Sequence, residues 1–375
     1  MMKTRLWRRL ILLGVLILVG AGRLDAAPLD ACQPAATENW TTVSNWSCGR
    51  VPTSADAVTI PLGVTLTLNA DGDVGDLTLA AQTGTRLSLG DGVTLNMYGA
   101  LATISSTTSS TITGNGRLRL VGTSRTLFTG DWAANSPGLR LEIALSSGAI
   151  GASDRAVKGG EILISNGTYS TSADVRPDSG SPNTGRLDIA AGATLLITGN
   201  IERTGTAGTQ AASVIVSGTL ESSGTRISAN AITIADGGRL RVKRNTGLTI
   251  AGAINYATGG TLEYAGSTAQ TTGGELTTTV ANLTVANAAG VTLARSTTVN
   301  GQLALNSGGL ATNSYTLTLG SAATCSGDYE VTGVVQRLSP ALGVGYCFGH
   351  ANTALTFTSG AAPTDVAVRL SRGTP

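Results

Sequence analysis

The feature that most restricts the fold is a three-residue phrase: apolar, then small or polar, then apolar. Between positions 280 and 319 it occurs as Leu283-Thr284-Val285, Val291-Thr292-Leu293, Leu303-Ala304-Leu305 and Leu317-Thr318-Leu319. Gly, Asn, Ser and Ala fill the intervals. Alternation over so few residues is the pattern of very short strands with one buried face, set between tight turns. Earlier copies include Leu87-Ser88-Leu89, Val93-Thr94-Leu95, Leu187-Asp188-Ile189, Ile232-Thr233-Ile234, Leu240-Arg241-Val242 and Leu248-Thr249-Ile250. Starts fall eight apart at 232, 240 and 248, and a larger return lies near 20, as from Leu283 to Leu303. Insertions interrupt the run, notably at 129–139 and 175–186. Self-similarity without a fixed count argues a solenoid with loops of variable length.

In such a coil the flanking Leu, Ile and Val face inward and the middle Thr, Ser, Arg or Asp faces out. Leu283, Val285, Leu303 and Leu305 are therefore expected inside, with Thr284 and Ala304 outside. Coils of about 20 to 22 residues give roughly 12 coils and a rod about 60 Å long. Asp91-Gly92, Asn166-Gly167, Asp236-Gly237 and Asn300-Gly301 supply positive-φ turn positions. These dipeptides also suit the hairpins of an antiparallel sandwich. Three-residue strands are short for hairpins and ordinary for a coil with three sheets. The expected fold is all-β, a right-handed single-stranded parallel β-helix.

Charge narrows the function classes. Asp, Glu, Lys and Arg make up only 13% of the chain, about half the usual roughly 25%, so Thr, Ser and Asn must supply most of the polar surface. Residues 1–26 have the form of a secretory signal peptide, a basic start (MMKTRLWRR) followed by an apolar run at 10–22. That run is short for a membrane span, and cleavage is expected after Ala26, leaving no stable span. Removing Lys3, Arg5, Arg8, Arg9, Arg23 and Asp25 leaves 20 basic and 22 acidic residues. A nearly neutral body has no electrostatic footprint for nucleic acid.

Residues 37–69 read TENWTTVSNWSCGRVPTSADAVTIPLGVTLTLN. With Asn45, Trp46, Gly49, Val51, Pro52, Asp56, Val58 and Ile60, this opening resembles the first coil of secreted bacterial right-handed parallel β-helix proteins, many of them adhesin-like surface proteins. It is also similar to the opening of a small β-strand domain named for its eight glycines. The resemblance implies a cap over the first coil, where Trp40 and Trp46 would cover apolar rungs and unpaired edges; the alternative is that they form a sugar platform. The segment from residue 324 gathers Tyr329, Tyr346, Phe348 and Phe357 and has longer strands. It resembles the part of such proteins where the solenoid passes into a β-sandwich. The expected organisation is signal peptide 1–26, N-terminal cap 27–57, parallel β-helix 58–323 and C-terminal β segment 324–375. About 50 residues hold half of a usual sandwich, so the last segment is expected either to continue beyond residue 375 or to dock on the rod end.

The search for chemistry returns little. Cys32 and Cys48 bracket the cap, and Cys325 and Cys347 bracket the C-terminal transition. Three pairings are formally open; in an exported protein two local disulfides are expected. His350 is the single histidine, so no Ser-His-Asp arrangement can be built without it. Asp71, Asp73 and Asp76 imitate the start of a calcium loop, but Val74 and Ala80 stand where an EF-hand needs Gly and Glu. Weak calcium binding there is left open. Asp174, Asp178 and Asp188, near Arg176 and Arg186, are the best candidates for a polysaccharide lyase or glycosidase, which needs two carboxylates flanking one bond. No catalytic, cofactor or metal residue is assigned. The expectation is a secreted or cell-surface structural, adhesin-like solenoid without catalytic activity or cofactor, with an extracellular polysaccharide as the candidate partner. A carbohydrate-binding or polysaccharide-degrading β-helix is the alternative.

Overall fold

The computed structural model describes residues 30–80, 84–99, 101–102, 111–122, 125–127, 139–150, 157–158, 160–177, 185–202 and 212–371. The expected signal peptide, residues 1–26, and Asp178 lie outside them. The chain is a β-solenoid of about 11 turns. Its two longest sheets have nine and ten strands, and every neighbour in them pairs in parallel.

The eight-residue spacing is one side of the coil. Ile232 and Ile234 lie in the nine-stranded sheet, Leu240 and Val242 in the ten-stranded sheet, and Ile250, just after Leu248, re-enters the nine-stranded sheet opposite Ile227. The longer return is one full circuit. In the ten-stranded sheet Leu195, Leu220, Leu240, Leu262, Leu283 and Leu303 stack in register on successive rungs. All of them are buried, and each such side chain removed from water contributes about 1.5–3 kcal/mol. Leu283, Val285, Leu303 and Leu305 are inside, as the alternation requires, and Thr284 faces out. Ala304 points outward yet is only 5% exposed, because a methyl group between Thr284 and Ser326 on adjacent rungs presents almost no surface.

Gly92, Gly167 and Gly237 have φ of 72°, 75° and 74°, the left-handed turn positions their dipeptides imply. Gly301 is different. It has no positive φ among the recorded positions, and a Cβ there would meet Asn282 Oδ1 at 2.5 Å, so close approach between coils selects glycine.

Parallel pairing begins before residue 58 and continues past residue 323. Asp30–Cys32 pairs with Asp56–Ile60, and Glu38–Asn39 with Thr65–Leu68. At the other end Thr324–Gly327 pairs with Gln302–Leu305, and Val331–Leu338 with Leu310–Leu319. The direction then reverses: Asp365–Leu370 runs antiparallel to Val331–Leu338, and Gly345–Cys347 antiparallel to Ala354–Thr356. Phe348 and Tyr346 from this segment join the buried core, so these strands dock on the rod end.

Candidate functional site

Charged side chains stand on the outward rows of the rungs. In the ten-stranded sheet Glu221, Arg241 and Glu263 occupy one row on consecutive rungs. Arg241 Nη1 reaches Glu221 Oε2 at 3.0 Å and its Nε lies 2.9 Å from Glu263 Oε1. Arg239 also pairs with Glu263, whose side chain is almost covered, and Lys243 stands 4.0 Å from Glu221. The nine-stranded sheet repeats the device. Arg117 and Arg119 both hold Glu142, at 3.0 and 3.2 Å, and Arg140 holds Glu161 at 3.1 Å. Arg186 binds Asp188 at 2.7 Å. That bond, aided by the charges of Asp188 and Glu161, raises the guanidinium above its ordinary value against the opposing effect of burial. These faces are ladders of self-neutralising pairs.

Two of the three acids expected around 174–188, Asp174 and Asp188, lie among the described residues. Asp174 and Arg176 pair at 3.3 Å beside the short strand Val175–Arg176, with Glu202 3.7 Å from Arg176. Asp174 also accepts the Asn200 N–H at 2.9 Å. Asp188 belongs to the nine-stranded sheet with Arg186. Each of the two carboxylates thus has its own guanidinium partner. Glu202 escaped the sequence reading because it sits one coil further on.

Asp71 accepts the Thr94 N–H at 2.7 Å and Asp73 accepts Asn96 Nδ2 at 3.1 Å, each tying one coil to the next. Among the described residues no group of three or more His, Cys, Asp or Glu side chains is placed to hold a metal. His350 Nδ1 accepts the Asn352 N–H at 3.0 Å within a turn. Trp40 and Trp46 are buried, packed edge to face with ring centroids 5.0 Å apart. Their faces are not open to a sugar. Trp46 Nε1 donates to the Trp40 carbonyl at 2.8 Å.

Both local disulfides are present, Cys32–Cys48 and Cys325–Cys347. Each end also has a buried charge. At the N-terminal end Asp56 is fully covered. It takes Arg50 in a two-point pair, and the Thr53 N–H and hydroxyl at 2.7 and 2.8 Å. The Arg50 hydrogen bond chiefly, with those from Thr53, holds its pKa down at about 2 against the cost of burial. At the C-terminal end Arg337 is buried and donates to the carbonyls of Gly320, Ala323 and Cys347 at 2.7, 2.7 and 3.1 Å. Its guanidinium lies 5.1 Å from the centre of the Tyr346 ring. Burial lowers its pKa from the ordinary value.

A polar node in the interior was not foreseen. Glu275 is fully buried and accepts the N–H groups of Leu248 and Gly273 at 2.7 and 2.8 Å, and the Tyr264 hydroxyl at 2.7 Å. Tyr256 donates to the Glu275 carbonyl at 2.7 Å. Burial first, then the Glu275 charge, pushes both phenols well above their ordinary range. Beside them buried Gln270 bonds the carbonyls of Val242 and Arg244, and buried Asn287 bonds Gln270. This node sits where the nine-stranded sheet ends at Thr249–Tyr256 and the seven-stranded sheet begins at Gln270–Thr271. It satisfies backbone groups that the change of sheet leaves over.

An open groove of about 360 Å³ lies over the corner formed by Ala288, Gly290 and Gly309, flanked by Tyr329 and Glu330. Tyr329 is 41% exposed. Comparison of the chain with protein-family models, with curated proteins and with solved structures returned no match.

Proposed function

We propose that the mature chain is a secreted or cell-surface structural rod of adhesin-like type, without catalytic activity. The observation that carries this reading is the pairing of the outer-face charges. Carboxylates and guanidinium groups answer one another from rung to rung, where a lyase or glycosidase would turn them toward a shared cleft. Two disulfides fit an oxidising extracellular setting, and the form of residues 1–26 supports export. Among the described residues no helix is long and apolar enough to cross a membrane. The test is incubation of mature protein with acidic and neutral polysaccharides, following new reducing ends and unsaturated uronate absorbance. No product is expected; turnover that is lost on changing Asp174 or Asp188 would overturn the reading.

The second reading, polysaccharide binding, rests on the groove beside Tyr329. An exposed phenol ring next to a shelf of Ala and Gly offers an apolar sugar face a flat contact. If it holds, Tyr329→Ala should weaken retention on an immobilised polysaccharide while the melting temperature stays unchanged.

A further inference from the structure

The last strand, Asp365–Leu370, pairs with Val331–Leu338 along one edge. Among the described residues it has no strand on its other edge. One bond tells which backbone groups point where. The Ser339 N–H donates to the Thr364 carbonyl at 2.8 Å, and these two residues lie directly opposite in the antiparallel register that the strands set. Hydrogen-bonding direction alternates along an antiparallel strand. Val366, Val368 and Leu370 therefore spend their peptide groups on Val331–Leu338, and Asp365, Ala367 and Arg369 turn theirs to the open edge. Side chains alternate in step: Val366, Val368 and Leu370 pack against the core, while Asp365, Ala367 and Arg369 are exposed.

We propose that this edge joins a second copy of the chain in a two-fold antiparallel pair centred on Ala367. The sequence of the strand is self-complementary in that register alone. Ala367 meets Ala367 of the second copy, and Asp365 meets Arg369 of the second copy in both directions. The outward peptide groups of Asp365, Ala367 and Arg369 become hydrogen-bonded pairs together, and the two opposite charges face each other on the solvent side. Asp365 Oδ2 already accepts Gln336 Nε2 at 2.7 Å, which leaves Oδ1 for the arginine. Val366 and Val368 meet across the axis on the other face. Its charges are of both signs and match each other in this register, and the strand has no proline, bulge or inward charge to block pairing. Leu338, which lies opposite Asp365 on the neighbouring strand, is 39% exposed. One edge per copy closes the assembly at two.

The test is sedimentation of mature protein over a range of about 1 to 100 μM, with thermal melting beside it. A concentration-dependent dimer is expected. Ala367→Pro removes an N–H that the existing ladder does not use, so the protein should become monomeric with its melting temperature unchanged. Asp365→Arg and Arg369→Asp should each weaken association at least about tenfold, and the double reversal should restore it. A monomer at every concentration would overturn the proposal. So would a dimer that survives Ala367→Pro, or a folded double reversal that stays monomeric. Slow amide exchange at Asp365, Ala367 and Arg369 in a monomer would give the edge to another segment of the same chain, and would overturn it as well.

Discussion

The Asp56 carboxylate is fully covered, and its charge depends on Arg50 and Thr53. Asp56→Asn should lower stability by about 2 kcal/mol, since it weakens a charge-assisted pair and several hydrogen bonds together. The pH dependence has a definite sign. A folded pKa of about 2 lies below the ordinary 3.8, so the stabilisation is complete above the ordinary value and is lost as pH falls through about 2. Melting temperatures of the two proteins should therefore differ at neutral pH and converge toward pH 2; a constant gap would refute the charge-based account. Asp56 was legible in the sequence as part of the opening pattern with Gly49, Val51 and Pro52. Glu275 was not, because a buried acid is written with the same letter as a surface acid. Its one signal was the polar run from Gln270 with Gly273-Gly274, where a Cβ on Gly273 would meet Glu275 Oε2 at 2.7 Å. Tyr264→Phe removes one of its three donors and should cost about 1 to 2 kcal/mol in urea unfolding. No loss would mean that the phenol does not support the carboxylate.

A strand of the ten-stranded sheet is only three or four residues long, so its stability comes from stacking on its neighbours. Leu303 lies inside between Leu283 and Cys325, and Thr284 lies outside between Glu263 and Ala304. Leu303→Asp should cost several kcal/mol, about 4 or more, because it places an unpaired carboxylate in an apolar stack. Thr284→Asp, in an outward row, should cost under about 1 kcal/mol. Ala304 is a poor control because its outward position is covered. Equal losses in melting would refute the inward and outward assignment. The inward rows were legible because alternation is local. The rung-to-rung ion pairs were not: those partners lie on neighbouring circuits, and the circuit varies, being 20 residues between Glu221 and Arg241 and 23 between Arg119 and Glu142. Without a fixed period the letters Arg and Glu cannot be aligned into rows. The same variation hid how far parallel pairing runs at each end, since Val331–Leu338 stacks on Leu310–Leu319 before the strand direction reverses.

A rod whose turns touch only their neighbours unravels from its ends unless the ends are held. The two disulfides stand there, closing loops with sequence separations of 16 and 22, each worth about 3 kcal/mol in restricting the unfolded chain. Each lies near a second fastening. Cys32 sits in the cap with Trp40, Trp46 and the Arg50–Asp56 pair, and Cys347 contacts Arg337, which also grips Gly320 and Ala323. The interior node around Glu275 guards the middle, where one sheet gives way to another. Reduction should therefore act at the termini and leave the middle intact. Hydrogen exchange of the native and the reduced protein is the measurement. After reduction, amides of Asp30–Cys32, Val331–Leu338 and Asp365–Leu370 should exchange faster, while those of Thr219–Ser222 and Arg239–Val242 keep their protection. Limited proteolysis should agree, with cuts in the exposed stretch 351–365 releasing the last strand. Uniform acceleration along the whole chain would show a rod that melts as one unit, and would remove the disulfides from their role as end fastenings.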